Sequence, residues 1–315
     1  MLPPDVVAGI CAVFGLGDGQ MSSGPVAYGR IGEVWRLDCA AGSWAVKTEA
    51  NALSEKGLAP SVRFHEAALA AGLPVPSVRR TVDGRVVGRV GPHEVRVLSW
   101  VDMAAADPSL DPGAVGRLLA GLHRLPRCPG DQGEVDPWFV APVGAAAWDS
   151  LAERALSAGA PFAADLAAHR DELVALEGLL RPARALRWCH RDLFADNLRA
   201  VPGGGLVLFD FDNSGPADPA WELAHVLAEF AAEPGRARAL VEAYAEAGGP
   251  ARLTGPGDFT MVIAMLGHIA EVATERWLAT DDPAQRDDLA AWAAELTDRP
   301  LTRQVVGELL AAVAD

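Results

Sequence analysis

No stretch of this 315-residue chain limits its possible folds as sharply as residues 188–212. It reads Trp188-Cys189-His190-Arg191-Asp192-Leu193-Phe194-Ala195-Asp196-Asn197-Leu198, then the turn Gly203-Gly204-Gly205, then the apolar run Leu206-Val207-Leu208-Phe209 closing on Asp210-Phe211-Asp212. Consecutive glycines let the backbone reverse where side chains would clash, and the short apolar run after them reads as a buried strand. The reversal returns Asp210 toward Asp192, eighteen residues earlier, with Asn197 on the loop five residues after Asp192. Any fold for this chain must accommodate that convergence of oxygen-bearing side chains.

Two carboxylates and an amide so arranged suit one chemistry in particular. Phosphoryl transfer needs little covalent help from a protein, but it needs hard oxygen ligands for magnesium and a carboxylate to orient the attacking hydroxyl. Asp and Asn also cap ordinary turns. The joint spacing of HRDxxxxN with a strand-terminal Asp is a far more demanding coincidence than HRD alone. The segment resembles the catalytic core of the aminoglycoside phosphotransferase and choline kinase superfamily, relatives of the protein kinases. That resemblance implies that Asp192 orients or deprotonates an acceptor hydroxyl, and that Asn197 and Asp210 bind Mg2+ on ATP. His190 is expected to be a hydrogen-bonded scaffold residue, and Asp212 either a second metal ligand or a cap with a supporting role.

The resemblance extends to both sides of this segment. Lys47 ends an apolar strand and Glu66 lies in the helix that follows, as the superfamily arranges its nucleotide-binding Lys and the Glu that holds it. The glycine-bearing stretch Ser22–Gly32, with Gly24 and Gly29, stands where a phosphate-covering loop would be, although it lacks the GxGxxG pattern. Residues 98–102 read as a hinge past the adenine, with Ser99 and Val101 offering backbone hydrogen bonds. Asp218-Pro219-Ala220-Trp221-Glu222-Leu223-Ala224 is similar to the family's helix start beneath the catalytic loop, with Glu222 where Asp is usual. The LxxLHxL-like run 118–125 places His123 as a core histidine.

Hydrophobic periodicity organises the rest. Residues 1–14 are apolar at helical intervals; Val34–Leu37 and Ser43–Lys47 read as a hairpin, 61–71 as a helix, and 81–89 with 94–101 as a second hairpin around Gly91-Pro92. Beyond Val101 the pattern is helical over 112–124, 143–157, 162–180, 219–233, 237–247, 258–279 and 283–296. The expected class is α+β: a bilobal, protein-kinase-like fold with a small β-rich nucleotide-binding lobe over 1–101 and a larger α-helical lobe, catalytic and acceptor-binding, over 102–315.

Composition bears on the partners. Lys and Arg number 27 against 42 Asp and Glu, a net charge of −15, which repels nucleic acid phosphates. No run approaches the roughly 20 apolar residues a membrane helix needs, and the N-terminal segment lacks the basic start of a secretory signal, so a cytoplasmic protein is expected. The four cysteines lack metal-site spacing. The short link from Asp210 to Pro219 leaves no room for a peptide-docking activation segment, which favours a small-molecule acceptor. Asp196, Glu271, Glu275 and Trp277 are the candidate acceptor contacts. Glu271 and Glu275 share a helix face, which suits either a cationic acceptor or a solvated acidic surface. These features read as an antibiotic O-phosphotransferase of the resistance type, with a choline, amino-alcohol or sugar kinase as the alternative and an inactive kinase-like binding module as a second.

Overall fold

A computed structural model of the chain describes residues 2–28, 32–49, 55–126, 133–193, 196–298 and 300–314. In chain order its elements are α1 (Pro4–Phe14), β1 (Gly19–Met21), β2 (Ala27–Tyr28), β3 (Gly32–Cys39), β4 (Gly42–Glu49), α2 (Glu55–Ala70), β5 (Val78–Arg79), β6 (Gly88–Val90), β7 (His93–Ser99), α3 (Pro112–His123), α4 (Ala145–Ser157), α5 (Ala163–Glu177), β8 (Arg187–Cys189), β9 (Leu198–Ala200), β10 (Leu206–Leu208), β11 (Gly215–Ala217), α6 (Pro219–Ala228), α7 (Pro234–Glu246), α8 (Thr260–Ala279), α9 (Pro283–Asp298) and α10 (Arg303–Val313). The expected helices and the first hairpin are present, with α2 beginning earlier than its apolar spacing indicates and α10 added at the C-terminal end; of the second hairpin, the first arm expected over 81–89 is reduced to Gly88–Val90, residues 81–87 forming turns. No described helix is long and apolar enough to cross a membrane.

The chain divides into two units. One comprises Met1–Leu110, Leu125–Asp131 and Asp192–Gly215; the other comprises Asp111–Arg124, Gln132–Arg191 and Pro216–Asp315.

The first unit is built on an antiparallel sheet in the order β1-β3-β4-β7-β5, with β2 alongside β3 and β6 alongside β7. Alternation along the strands decides which side chains meet. Trp35, Leu37, Val46, Val95 and Val97 point to one face and are buried with Val6, Ile10 and Phe14 of α1. Lys47, between the buried Val46 and Thr48, and Arg96, between the buried Val95 and Val97, therefore point to the other face. They are also direct cross-strand partners in the β4–β7 ladder. α1 enters on Pro4 and leaves through Gly15 at φ 61°, a left-handed conformation that glycine adopts without penalty. The hairpin of β9 and β10 belongs to this unit, and its turn glycines Gly203, Gly204 and Gly205 have φ of 88°, 95° and 96°.

The second unit is helical. α3 and α7 approach closely at Gly116, where any Cβ would collide with the carbonyl oxygen of Leu240. A second cluster gathers Trp148 and Leu151 of α4, Leu166 and Leu173 of α5, Trp277 of α8, and Leu289 and Leu296 of α9. Asp218 caps α6 by accepting from the Ala220 N–H at 3.0 Å, with Pro219 in the first turn.

Candidate active site

The site is assembled by the glycine-turn hairpin. β9 and β10 pair with Leu198 opposite Leu208, and the Phe209 N–H extends the ladder by donating to the Asn197 carbonyl at 3.0 Å. This sets Asn197 beside the strand end that carries Asp210. The amide nitrogen of Asn197 donates to the Asp192 carbonyl at 2.9 Å, so the side-chain oxygen is the atom left to act as a ligand. Asn213 closes the ring from the other direction, its amide donating to Asp192 Oδ2 at 3.0 Å. Asp192 and Asn197, on the segment leading into the hairpin, are thereby held beside Asp210 and the turn that follows it.

That turn is anchored by an aromatic contact. Phe211 is buried, stacks on His65 of α2 with ring centroids 4.3 Å apart, and meets Phe64 edge-on at 5.8 Å. His65 is held in turn through its Nε2 against the Pro76 carbonyl at 2.7 Å. Because Phe211 lies between them in the chain, Asp210 and Asp212 both project toward Lys47, whose Nζ donates to Asp210 Oδ1 and to Asp212 Oδ2, each at 3.0 Å. Arg96 grips Asp212 with both terminal nitrogens, at 2.5 and 2.6 Å.

Backbone strain marks the same place. Among the described residues only Arg191 (φ 64°) and Asp210 (φ 60°) are non-glycine residues at positive φ. Such conformations cost of order 1–3 kcal/mol each and persist where surrounding structure over-determines them. One immediately precedes Asp192 and the other is Asp210 itself.

Electrostatics follow from these contacts. Burial alone would lower the pKa of Lys47, but the carboxylates of Asp210 and Asp212 outweigh it, and the ammonium titrates above its ordinary value. Asp212 is the mirror case: burial opposes its charge, yet the Arg96 hydrogen bonds and the charges of Lys47 and Arg96 hold its carboxyl far below the usual carboxylate range. At neutral pH both groups are ionised.

In the second unit, Glu222 is completely buried and supports the backbone of the HRD segment. Its carboxylate accepts from the Arg191 N–H and from His123 Nε2, the latter at 2.8 Å. Burial favours its neutral form, but the His123 hydrogen bond, the imidazoles of His123 and His190 and the Arg191 N–H prevail, and its pKa falls below the ordinary value. A carboxylate only accepts, so Nε2 carries a proton; Nδ1 meets the Tyr244 hydroxyl at 2.8 Å, and that hydroxyl accepts from the Ala251 N–H at 3.1 Å. The ligating atoms of His123, Cys189 and Glu222 lie within 4.8 Å of one another. His123 spends both ring nitrogens on this chain of hydrogen bonds, and burial raises the Cys189 thiol pKa well above its usual value. The cluster is therefore a structural core rather than a metal centre, in keeping with the core position expected of His123.

Residues 25–256 match the model of the phosphotransferase enzyme family. The chain belongs to this family. No curated protein matches this phosphotransferase in sequence. Its fold is shared with an aminoglycoside phosphotransferase from Alicyclobacillus acidocaldarius subsp. acidocaldarius (22% identity, 99% of this chain and 96% of the other, TM-score 0.64). It is also similar to spectinomycin phosphotransferase, whose structure holds ADP and spectinomycin (12% identity, 99% and 98% covered, TM-score 0.71). A third similar structure is amicoumacin kinase with AMP-PNP, Ca2+ and its antibiotic (15% identity, 94% and 93% covered, TM-score 0.60). The bilobal kinase-like α+β class expected from the sequence is the class of these structures.

The remaining candidate residues of this phosphotransferase fall into place unevenly. Glu66 does not pair with Lys47: its carboxylate receives the Arg80 guanidinium at 2.8 to 3.0 Å, while Lys47 is taken by Asp210 and Asp212. Ser99 closes β7, its hydroxyl accepting from the Ser77 N–H at 2.8 Å, and Val101 follows Trp100, whose N–H donates to the Ser43 carbonyl at 3.0 Å. Of the glycine stretch 22–32, Gly29 lies outside the described residues; Ser22 Oγ makes a local turn with the Gly24 carbonyl at 2.7 Å. Asp196 is exposed in the turn just before β9.

Glu271, Glu275 and Trp277 belong to the second unit and are occupied within it. Glu275 is paired with the Arg154 guanidinium at 2.5 and 2.7 Å, and Glu271 makes a hydrogen-bond contact with His268 at 2.9 Å, so both carboxylates have partners within the chain. Trp277 is buried edge-on against Phe162 with Arg286 over its ring, which makes it core. Arg96 and Asn213 are the residues that sequence reasoning missed. Arg96 left a trace, a cation between two strand valines, but its partner lies 116 residues away.

Proposed function

We propose that this protein transfers the γ-phosphoryl group of ATP, as its magnesium complex, to a hydroxyl of a small molecule, and that the acceptor is an antibiotic of the aminoglycoside type. The observation that carries the reading is the meeting of Lys47 of β4 with Asp210 at the end of the β9–β10 hairpin, beside Asn197 and Asp192 that lead into it, with strained backbone at Arg191 and Asp210.

The donor set suits magnesium. Asp210 offers a carboxylate and Asn197 its amide oxygen, and hard oxygen donors are what the ion selects. When bound, the metal neutralises charge on the phosphates as the bond to the leaving oxygen breaks. Lys47, kept protonated by its acidic neighbours, supplies a compact positive charge for phosphate oxygens. Asp192, held at Oδ2 by Asn213, accepts the proton of the acceptor hydroxyl and directs its lone pair at phosphorus. Ser99 and Val101 offer backbone groups to the adenine. The β-rich segment over 1–101 serves as the nucleotide lobe, and 102–315 carries the acceptor. The spectinomycin and amicoumacin enzymes, which share this fold, support an antibiotic acceptor.

The test is a screen of aminoglycosides, peptide, macrolide and nucleoside antibiotics and choline with ATP and Mg2+, read by the mass gain of one phosphoryl group. Asp192→Asn is expected to lower turnover by about 10²–10⁴. Wild type no faster than Asp192→Asn over the whole panel would replace this reading with that of a binding module.

A further inference from the structure

We infer that Asp212, locked by Arg96, is the positioning residue for Lys47, in place of a helix-borne glutamate. The inference rests on the phosphotransferase reading for what Lys47 does, and on geometry for how Lys47 is held.

The register creates the requirement. Lys47 and Arg96 are opposite one another on β4 and β7 and project from the same face of the sheet, an arrangement that by itself is repulsive. Asp212 relieves it by standing between them: Oδ1 and Oδ2 receive the two terminal nitrogens of Arg96, and Oδ2 also receives the ammonium of Lys47 at 3.0 Å. The Arg96 side chain is only 8% exposed. A planar guanidinium matched to both oxygens of a carboxylate fixes the direction of that carboxylate as well as its charge. Removing the carboxylate is costly, because the buried guanidinium of Arg96 is left without compensation. Phe211, stacked between α2 residues, fixes the backbone from which Asp212 projects.

Glu66 is engaged by Arg80, and Asp210, which also receives Lys47 at 3.0 Å, is the proposed metal ligand. Asp212, with both oxygens on Arg96, is the acid that remains with Lys47. The choice left open by the sequence, metal ligand or support, is decided for support.

Lys47 and Lys56 are the only lysines in the sequence, and Lys56 is exposed, so the full-length protein labelled with 13C at lysine Cε gives two signals, one of them an internal reference. In nucleotide-free protein, Arg96→Met and Asp212→Asn are expected to move the Lys47 signal toward that of Lys56, and Glu66→Gln to leave it in place. A Lys47 signal that ignores Arg96→Met and Asp212→Asn, or that follows Glu66→Gln, overturns the inference, and does so without reference to activity. The second arm measures binding of a fluorescent ADP analogue with Mg2+. Arg96→Met should weaken it by about tenfold, the scale of one lost hydrogen bond to a charged group. In a Lys47→Met background the same change should add nothing. Additive losses would assign Arg96 a general structural role and overturn the inference. Wild type that binds no nucleotide, with the NMR result as expected, would instead refute the phosphotransferase reading and leave the positioning of Lys47 standing.

Discussion

Replacing Glu222 with alanine should destabilise the second unit more than almost any other single change on its surface or in its core. The carboxylate is fully buried and accepts from the Arg191 N–H and from His123 Nε2, and His123 is itself 1% exposed. Truncation leaves both donors buried without an acceptor. Each hydrogen bond to a charged group is worth about 1.5–3 kcal/mol, and breaking a buried charged pair costs about 3–5 kcal/mol. Taking about 3–5 kcal/mol, and about 2–4 °C per kcal/mol for a unit of this size, the melting temperature should fall by roughly 6–20 °C. Glu222→Asp keeps the charge but withdraws it by one methylene from partners spaced for glutamate, and should lose less than alanine does. Thermal unfolding followed by far-UV circular dichroism reads the shift. The pH dependence tests its origin. Glu222 has a folded pKa below its unfolded value, so its contribution is complete above about pH 4.3 and is lost as the pH falls through the folded value. The gap between wild type and Glu222→Ala should therefore persist from pH 8 to pH 5 and shrink in more acid solution. An alanine variant melting within about 2 °C of wild type at pH 7 would show that the Arg191 N–H and His123 find other acceptors, and the reasoning would fail.

Two further outcomes are expected. His225 is buried with its pKa pushed down to about 4, chiefly by burial. The unfolded chain therefore binds a proton that the folded one does not between about pH 6.5 and that value, and stability should fall on acidification across that window by about 2–4 kcal/mol; urea melts of His225→Leu should show a shallower slope. Gly116→Ala should cost at least about 1–3 kcal/mol, since its Cβ meets the Leu240 carbonyl across the α3–α7 contact, and a melt indistinguishable from wild type would mean that the two helices can separate without loss.

The β9–β10 hairpin was legible because its signals are local. Glycines at positive φ, an apolar strand and a strand-terminal Asp lie within two dozen residues, and short-range rules connect them. The partners of Lys47 were not legible in the same way. Strand alternation places Arg96 and Lys47 on one face, but nothing in residues 93–99 announces that the answering carboxylate is Asp212, far along the chain. Glu66 has the type and position for a lysine partner, and it lost to a competition that the sequence does not display: Arg80 reaches it, while Asp210 and Asp212 reach Lys47. The acidic pair on α8 illustrates the same limit, since spacing shows that Glu271 and Glu275 share a face but not that His268 and Arg154 already contact them. Helix α10 lies beyond the last helix expected from periodicity, although Thr302, which accepts from the Val305 N–H at 3.1 Å, and the apolar pair Val306 and Leu309 were available as cues.

The first unit is discontinuous, since residues 192–215 complete what residues 1–110 begin. A recombinant piece ended at residue 110 would keep the two facing cations of β4 and β7 and forfeit the carboxylates that reconcile them, so the N-terminal part of this gene does not encode a transplantable nucleotide-binding cassette. Swaps between relatives that aim to exchange specificity would need to carry the downstream hairpin together with β4 and β7, or they would part Lys47 and Arg96 from Asp212.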